Sequence, residues 1–375
     1  EEKLALSGGK KQETNSAFVG RIHVRIALAQ VLIHEDKRDG KLDEAIKLYE
    51  EAIAVCKELK KQEESAKIMP QLASIYIKLG NLPKAIEIYN NTREIAKSVK
   101  NVECEVVALT GLATVSRLQK NNEQALKYLL EAKEKADVEL DSIAFGRILF
   151  ELGRTYSDMS LPPKAIEFYT QAAKEFEDAG EPDMQGRVLV EMGQSYLIER
   201  NSKEAINALS KALPLLENEK DLSSTASCLI ALGAAKADMG QFDEAQADHA
   251  RAQEISAKAN NQRLELEAIS EQGFDYFLNG STEKALQKFL KAKVLMEKAG
   301  NFSKIQQANV LRDCGMGYRS VGQTEMATRY YKDAATLFGL SQRPVEQAVM
   351  LDSMAVAYLD SGHLAEFEKY HTEAE

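Results

Sequence analysis

The chain has 375 residues, 44% hydrophobic and 28% charged, with a formal net charge of −10. That acidic balance argues against nucleic acid or an anionic membrane surface as the main partner. No run of about 18 apolar residues occurs, so membrane insertion is not expected, and no basic-then-apolar leader opens the chain, which begins on Glu1 without Met.

Residues 1–14 (EEKLALSGGKKQET) are polar and aperiodic and read as a flexible leader. Leu6-Ser7-Gly8-Gly9 is similar to the signature loop of ABC transporters, but such a loop works opposite a P-loop and no GxxxxGK[ST] exists here. From about residue 15 the chain becomes repetitive. The first copy carries Leu28, Ala29 and Leu32, followed by HEDKRDG, a turn that reads as longer than the others.

Turn positions then fall at Gly40, Gly80, Lys120, Ser160, Arg200, Gly240, Gly280, Gly322 and Gly362, a period of 40 with one interval of 42. Five residues after each of the first eight sits an alanine: Ala45, Ala85, Ala125, Ala165, Ala205, Ala245, Ala285 and Ala327. A second small site recurs seven residues further on, from Ala52 to Ala334, with Thr92 the one departure. Ahead of each turn stands a Leu-Gly-like pair, best formed at Leu152-Gly153, with Tyr156 after it. A 3–4 spacing of apolar residues makes both halves of each copy amphipathic helices. Period and register together define a true internal repeat.

The motif Leu152-Gly153-x-x-Tyr156, then Ala165-x-x-x-Tyr169-x-x-Ala172, resembles the tetratricopeptide repeat, with Leu149 where that pattern has tryptophan. The six residues beyond the usual 34 add about one turn to each helix. Long repeats of this kind are similar to those of Pins-type adaptors, kinesin light chains and the Rap-type bacterial peptide receptors. The resemblance implies an all-α fold, a right-handed α-solenoid (superhelix) of about nine antiparallel helix pairs. Its repeats are expected at about 15–60, 61–100, 101–140, 141–180, 181–220, 221–260, 261–300, 301–342 and 343–375. Pro214, well inside a second helix, should kink or end it. The turn at Gly362 is followed by only thirteen residues, with Phe367 at the alanine site. That end is therefore expected to be covered by a partner or by further chain.

Chemistry-bearing motifs are sparse. The cysteines, Cys56, Cys104, Cys228 and Cys314, form no CxxC or metal spacing, which suits a reduced intracellular compartment. Three Asn-x-Ser/Thr sequons (Asn90, Asn279 and Asn301) fall at helix ends or turns where those residues are ordinary. The five histidines, His23, His34, His249, His363 and His371, share no i, i+3 or i+4 pairing, and Gly315-Met316-Gly317 lacks dinucleotide-loop spacing. No catalytic site, metal or cofactor is expected.

The resemblance places function in the groove lined by the first helix of each repeat, here called helix A. The candidate partner-binding residues on that face are Lys78 and Arg117, then Arg147, Glu151, Arg154 and Asp158, then Arg187, Glu191 and Gln194. Further along come Glu271 and Phe274, then Arg312, Met316 and Arg319. Arginines there suit partner carboxylates, and Phe274 and Met316 suit apolar contacts. For each such residue the plainer reading is a solvated helix face. The clamp residues that hold chaperone tails are not matched, and the asparagines of Pins-type adaptors are replaced by Gln71, Glu151, Glu191, Glu271 and Asp313.

The expected role is a non-catalytic cytoplasmic scaffold or adaptor for peptide or helical segments of other proteins, its oligomeric state left open. Two alternatives stand beside it. One is a structural subunit of a cytoskeletal, ciliary or transport assembly. The other is a Rap-type peptide-sensing receptor, against which the short leader counts, because those proteins carry a separate N-terminal bundle.

Overall fold

A computed structural model describes residues 41–139, 141–219 and 221–374. The leader, the first helix of the first repeat with its HEDKRDG turn, and His23 and His34 lie outside the described residues. Within them the chain is all-α, with 17 helices. These are α1 (Lys41–Glu58), α2 (Gln62–Lys78), α3 (Leu82–Val99), α4 (Val102–Leu118), α5 (Asn122–Glu139), α6 (Ser142–Asp158) and α7 (Pro162–Asp178). They continue as α8 (Pro182–Ile198), α9 (Ser202–Asn218), α10 (Leu222–Asp238), α11 (Phe242–Lys258), α12 (Gln262–Leu278) and α13 (Thr282–Ala299). The last four are α14 (Lys304–Ser320), α15 (Thr324–Leu340), α16 (Pro344–Asp360) and α17 (Leu364–Ala374).

The chain forms two compact units, one ending at Gly180 and the other beginning at Glu181. In each, sequential antiparallel hairpins pack one on the next; the A helices (even-numbered) also touch one another along α2, α4 and α6 in the first unit and α8, α10, α12 and α14 in the second, and α16 is tied to α14 through Asp360 and Arg319. The A helices therefore line a common inner face in each unit.

Small residues on one helix receive large ones from its partner, and this sets the hairpin. A Cβ added at Gly153 would lie 2.4 Å from the Tyr169 ring, so the close approach of α6 and α7 depends on the missing side chain. The residue four after each repeat alanine fills this space, and all eight are buried: Tyr49, Tyr89, Leu129, Tyr169, Leu209, His249, Phe289 and Tyr331. Seven of them are apolar or aromatic. His249 is the exception.

The turns repeat at half the sequence period. A left-handed residue occurs about every 20 positions: Lys60, Gly80, Lys100, Lys120, Ser160, Gly180, Arg200, Gly240, Asn260, Gly280, Gly300, Gly322, Gln342 and Gly362. At Gly80 the amide donates to Ile77 O (2.9 Å) and the next amide, Asn81, donates to Tyr76 O (2.8 Å), the Schellman pattern. Asn81 then accepts from Lys84 N and starts the next helix. Pro163, Pro182 and Pro344 stand in first turns, where no N–H is needed. Pro214 does not end its helix: α9 runs on to Asn218, with Leu216 fully buried beyond the proline. The four cysteines are free and buried.

Candidate functional site

The inner face of the first unit has two zones, both built by α4 and α6. Toward the N-terminal halves of these helices, Val106, Val107, Thr110, Ile143 and Arg147 border a cleft of about 360 Å³ whose floor includes Tyr89 from α3. Gly111 permits this, since a Cβ there would meet the Tyr89 ring at 2.3 Å. The Thr110 and Thr114 hydroxyls donate to carbonyls of their own helix, so the walls present methyl groups. Arg147 is exposed, and its side chain makes no ion pair or hydrogen bond with any described residue.

Toward the C-terminal halves, the other charges expected on this face pair with one another. Arg117, with 11% of its side chain exposed, donates from Nη1 to Asp158 Oδ2 at 2.9 Å and faces Glu151 Oε2 at 3.8 Å. Arg154 donates to Glu151 Oε1 at 3.1 Å and lies over the Phe150 ring. This network joins successive repeats, so these arginines already have carboxylates within the chain. Lys78, at the end of α2, is exposed.

The second unit repeats the device. Arg319 donates to Asp360 at 2.7 Å, across the same 41-residue interval as Arg117 and Asp158. Arg187 bridges Asp183 (3.2 Å) and Asp221 (2.8 Å). Glu191 and Gln194 are half-buried on the same helix. Met316 and Phe274 pack against the apolar cluster around Phe289, with Phe274 edge-on to the Phe289 ring at 5.3 Å.

Between α12 and α14 lies a second cleft, of about 240 Å³, that groups Glu271, Phe274 and Arg312 with Leu266, Glu267, Val310 and Asp313. Arg312 is turned onto buried Asp313 through two contacts of 2.8 and 3.0 Å. Burial, with repulsion from Glu267, Asp275 and Asp313, pushes Glu271 up to about 7 against the opposing pull of His249. Behind this cleft sits a pair absent from the expected site. His249 Nδ1 lies 2.7 Å from Asp275 Oδ2, and its Nε2 donates to Ile230 O at 3.1 Å, with both side chains buried. Among the described residues no group of three His, Cys, Asp or Glu is disposed to hold a metal ion, and no helix is long and apolar enough to cross a membrane.

Paired helices of 17 or 18 residues, the small-into-large hairpin packing and an inner face of A helices define the class: this is a tetratricopeptide-repeat protein. The tetratricopeptide-repeat profile matches residues 26–98 and 64–136, and the soluble NSF attachment protein (SNAP) profile matches residues 108–267. Among curated proteins the chain is similar to tetratricopeptide repeat protein 29 of Trypanosoma brucei brucei, 24% identical over 178 residues. That alignment takes in 46% of this chain and 37% of the relative, so the chain spans well under half the relative's length.

Among solved structures it shares its fold with three larger-coverage neighbours. A STAND signal-transduction ATPase with a tetratricopeptide-repeat sensor from Pyrococcus horikoshii matches at TM-score 0.67 and 16% identity, over 94% of this chain and 52% of that one. The apo quorum sensor NprR from B. thuringiensis matches at 0.65 and 14%, over 96% and 98% of the two chains. A Rap protein complexed with competence and sporulation factor matches at 0.60 and 14%, over 96% and 97%.

Proposed function

We propose that the chain is a non-catalytic scaffold that holds a segment of a partner protein against the inner face of its A helices, with Arg147 as the charged anchor of the first unit. The observation that carries this reading is the contrast on that face. Arg117 and Arg154 are bound to Asp158 and Glu151, whereas the Arg147 side chain pairs with no described residue and borders a cleft of about 360 Å³ lined by Tyr89, Val106, Val107 and Ile143 together with Glu103 and Asp141. A guanidinium in that position suits a carboxylate, and the Val106, Ile143 and Tyr89 surfaces suit an adjacent apolar side chain. The setting fitting this role is cytoplasmic.

The test is partner capture by Arg147→Glu. Co-purification followed by cross-linking mass spectrometry should place partner cross-links on α4 and α6 in the native chain and lose them in the variant. Unchanged capture and cross-links elsewhere would remove the cleft from the proposal.

A second reading, a peptide-sensing receptor, draws on the match to nearly the whole length of the Rap protein bound to competence and sporulation factor. Compaction in small-angle scattering on adding a short peptide would favour it. A scaffold binds without a change in dimensions.

A further inference from the structure

The cleft between α12 and α14 gathers three carboxylates, Glu267, Glu271 and Asp313, beside Arg263 and Arg312. Glu271 keeps some accessible surface, yet protein surrounds it almost completely, because its open side is the cleft itself. Its carboxylate accepts no hydrogen bond from any described residue. The neighbouring cations are engaged elsewhere: Arg312 is held by Asp313 and Asn309, and Lys288 donates to the Gln272 side chain. Arg263 offsets Glu267. The charges that act on Glu271 are Glu267 and Asp275 from its own helix, Asp313 from α14 and His249 from α11. Three of those four carry its own sign. An enclosed carboxylate without a donor costs free energy that a visiting donor would recover.

We propose that this cleft seats a basic side chain, arginine or lysine, of an extended partner segment. Leu266, Phe274 and Val310 would cover the aliphatic stem, the Phe274 ring adds a face for the cation, and Glu271 with Glu267 accepts its hydrogen bonds. The cleft volume of about 240 Å³ suits a single side chain rather than a folded element. This inference rests on the scaffold reading and names a partner feature for its second unit. It also carries a signature that general stickiness lacks. Glu271 is close to half protonated near pH 7 in the free protein, so a bound cation must displace part of a proton. Binding should weaken by up to about tenfold per pH unit below 7.

The experiment is calorimetric titration of the full chain with a blocked hexapeptide holding one arginine and one leucine, alongside its lysine and citrulline counterparts. Each titration is run at pH 7 in phosphate and in Tris. The arginine and lysine peptides should bind with release of roughly half a proton, and the citrulline peptide at least about tenfold more weakly. Glu271→Gln, checked for an unchanged circular dichroism spectrum, should lose both the proton release and the preference for cations. Equal binding of the citrulline peptide, an unaffected Glu271→Gln variant, or no binding up to about 10 mM peptide would each overturn the proposal. Partner capture by Arg147→Glu separates this from the parent reading. If capture is lost in that variant while the peptides fail to bind, the scaffold stands and the basic-side-chain cleft does not. If the peptides bind through Glu271 while Arg147→Glu captures as before, the reverse holds.

Discussion

His249 and Asp275 form a buried pair, Nδ1 to Oδ2 at 2.7 Å, at a place where the seven other alanine-bearing repeats put an apolar or aromatic side chain. The Ile230 carbonyl can only accept, so Nε2 carries a hydrogen, and the pair shares a further proton between Nδ1 and the carboxylate. Burial lowers the imidazole pKa, but the hydrogen bond and charge of Asp275, helped by Glu271 and the Ile230 carbonyl, leave it raised. A histidine with a raised folded pKa contributes stability that is complete below about pH 6.5 and is lost as pH rises through the folded value. Thermal unfolding of the second unit should therefore move to lower temperature on the alkaline side. His249→Leu alone leaves Asp275 buried without its partner and should cost about 3–5 kcal/mol. His249→Leu with Asp275→Ala reproduces the Leu209–Ala235 combination of the preceding repeat. It should recover most of that loss and flatten the pH dependence, which a melting series from pH 5.5 to 8.5 would check.

Glu271 acts in the same direction for a different reason. Its folded pKa of about 7 lies above the ordinary 4.5, so the fold favours the protonated acid. Stability declines as pH rises from about 4.5 to about 7 and then levels off. Glu271→Gln should stabilise the chain at pH 8 by about 1–2 kcal/mol, allowing for partial exposure, and should leave it unchanged at pH 4.5. Urea titrations at the two pH values measure the difference. A variant that gains nothing at pH 8 would mean that the carboxylate is solvated more freely than its surroundings indicate.

The helical hairpins and their register were legible because the Ala45-to-Ala327 series and the Leu152-Gly153-Tyr156 motif report packing, and packing repeats. The half-period of the turns was hidden, since residues as unlike as Lys60, Asn260 and Gln342 take the left-handed position at which Gly80 is conspicuous. Nor does sequence spacing show that Arg117 reaches Asp158, because a 41-residue interval becomes a 2.9 Å contact only once two A helices are stacked. A search for metal and catalytic spacings passes over His249. The available signal was its column, shared with Tyr169, Leu209 and Phe289, where a histidine must be buried and needs acceptors. Pro214 shows the limit of a local rule, its helix continuing because Leu216 is buried beyond it.

The turns supply a prediction about stability without contact changes. Arg200 holds φ at 60° and donates its amide to Leu197 O at 3.0 Å, the geometry that Gly240 adopts at φ 77°. A left-handed L-residue costs about 1–2 kcal/mol, and glycine costs about 0.5–1 kcal/mol in unfolded-chain entropy. Arg200→Gly should thus stabilise by about 0.5–1 kcal/mol and Gly240→Ala should destabilise by about 1 kcal/mol. Chemical denaturation of both variants tests the pair. The opposite order would show that the side chains at these turns, not the backbone, govern the local energy.

Arg117 and Arg147 lie on neighbouring A helices of one unit, yet their substitutions should separate stability from binding. Arg117 is mostly enclosed and links Asp158 and Glu151 across two repeats, so Arg117→Met removes the cation and leaves those carboxylates beside each other. The cost should be about 1–3 kcal/mol. A double-mutant cycle with Asp158→Asn should return a clear coupling energy, because the contact is at 2.9 Å. Arg147 is exposed and its side chain has no partner to lose among the described residues, so Arg147→Glu should change stability by no more than about 0.5 kcal/mol. Partner capture should respond the other way, surviving Arg117→Met at temperatures where the variant stays folded and failing in Arg147→Glu. Equal losses of capture in both would mean that the face binds through its stacked geometry rather than through an open guanidinium.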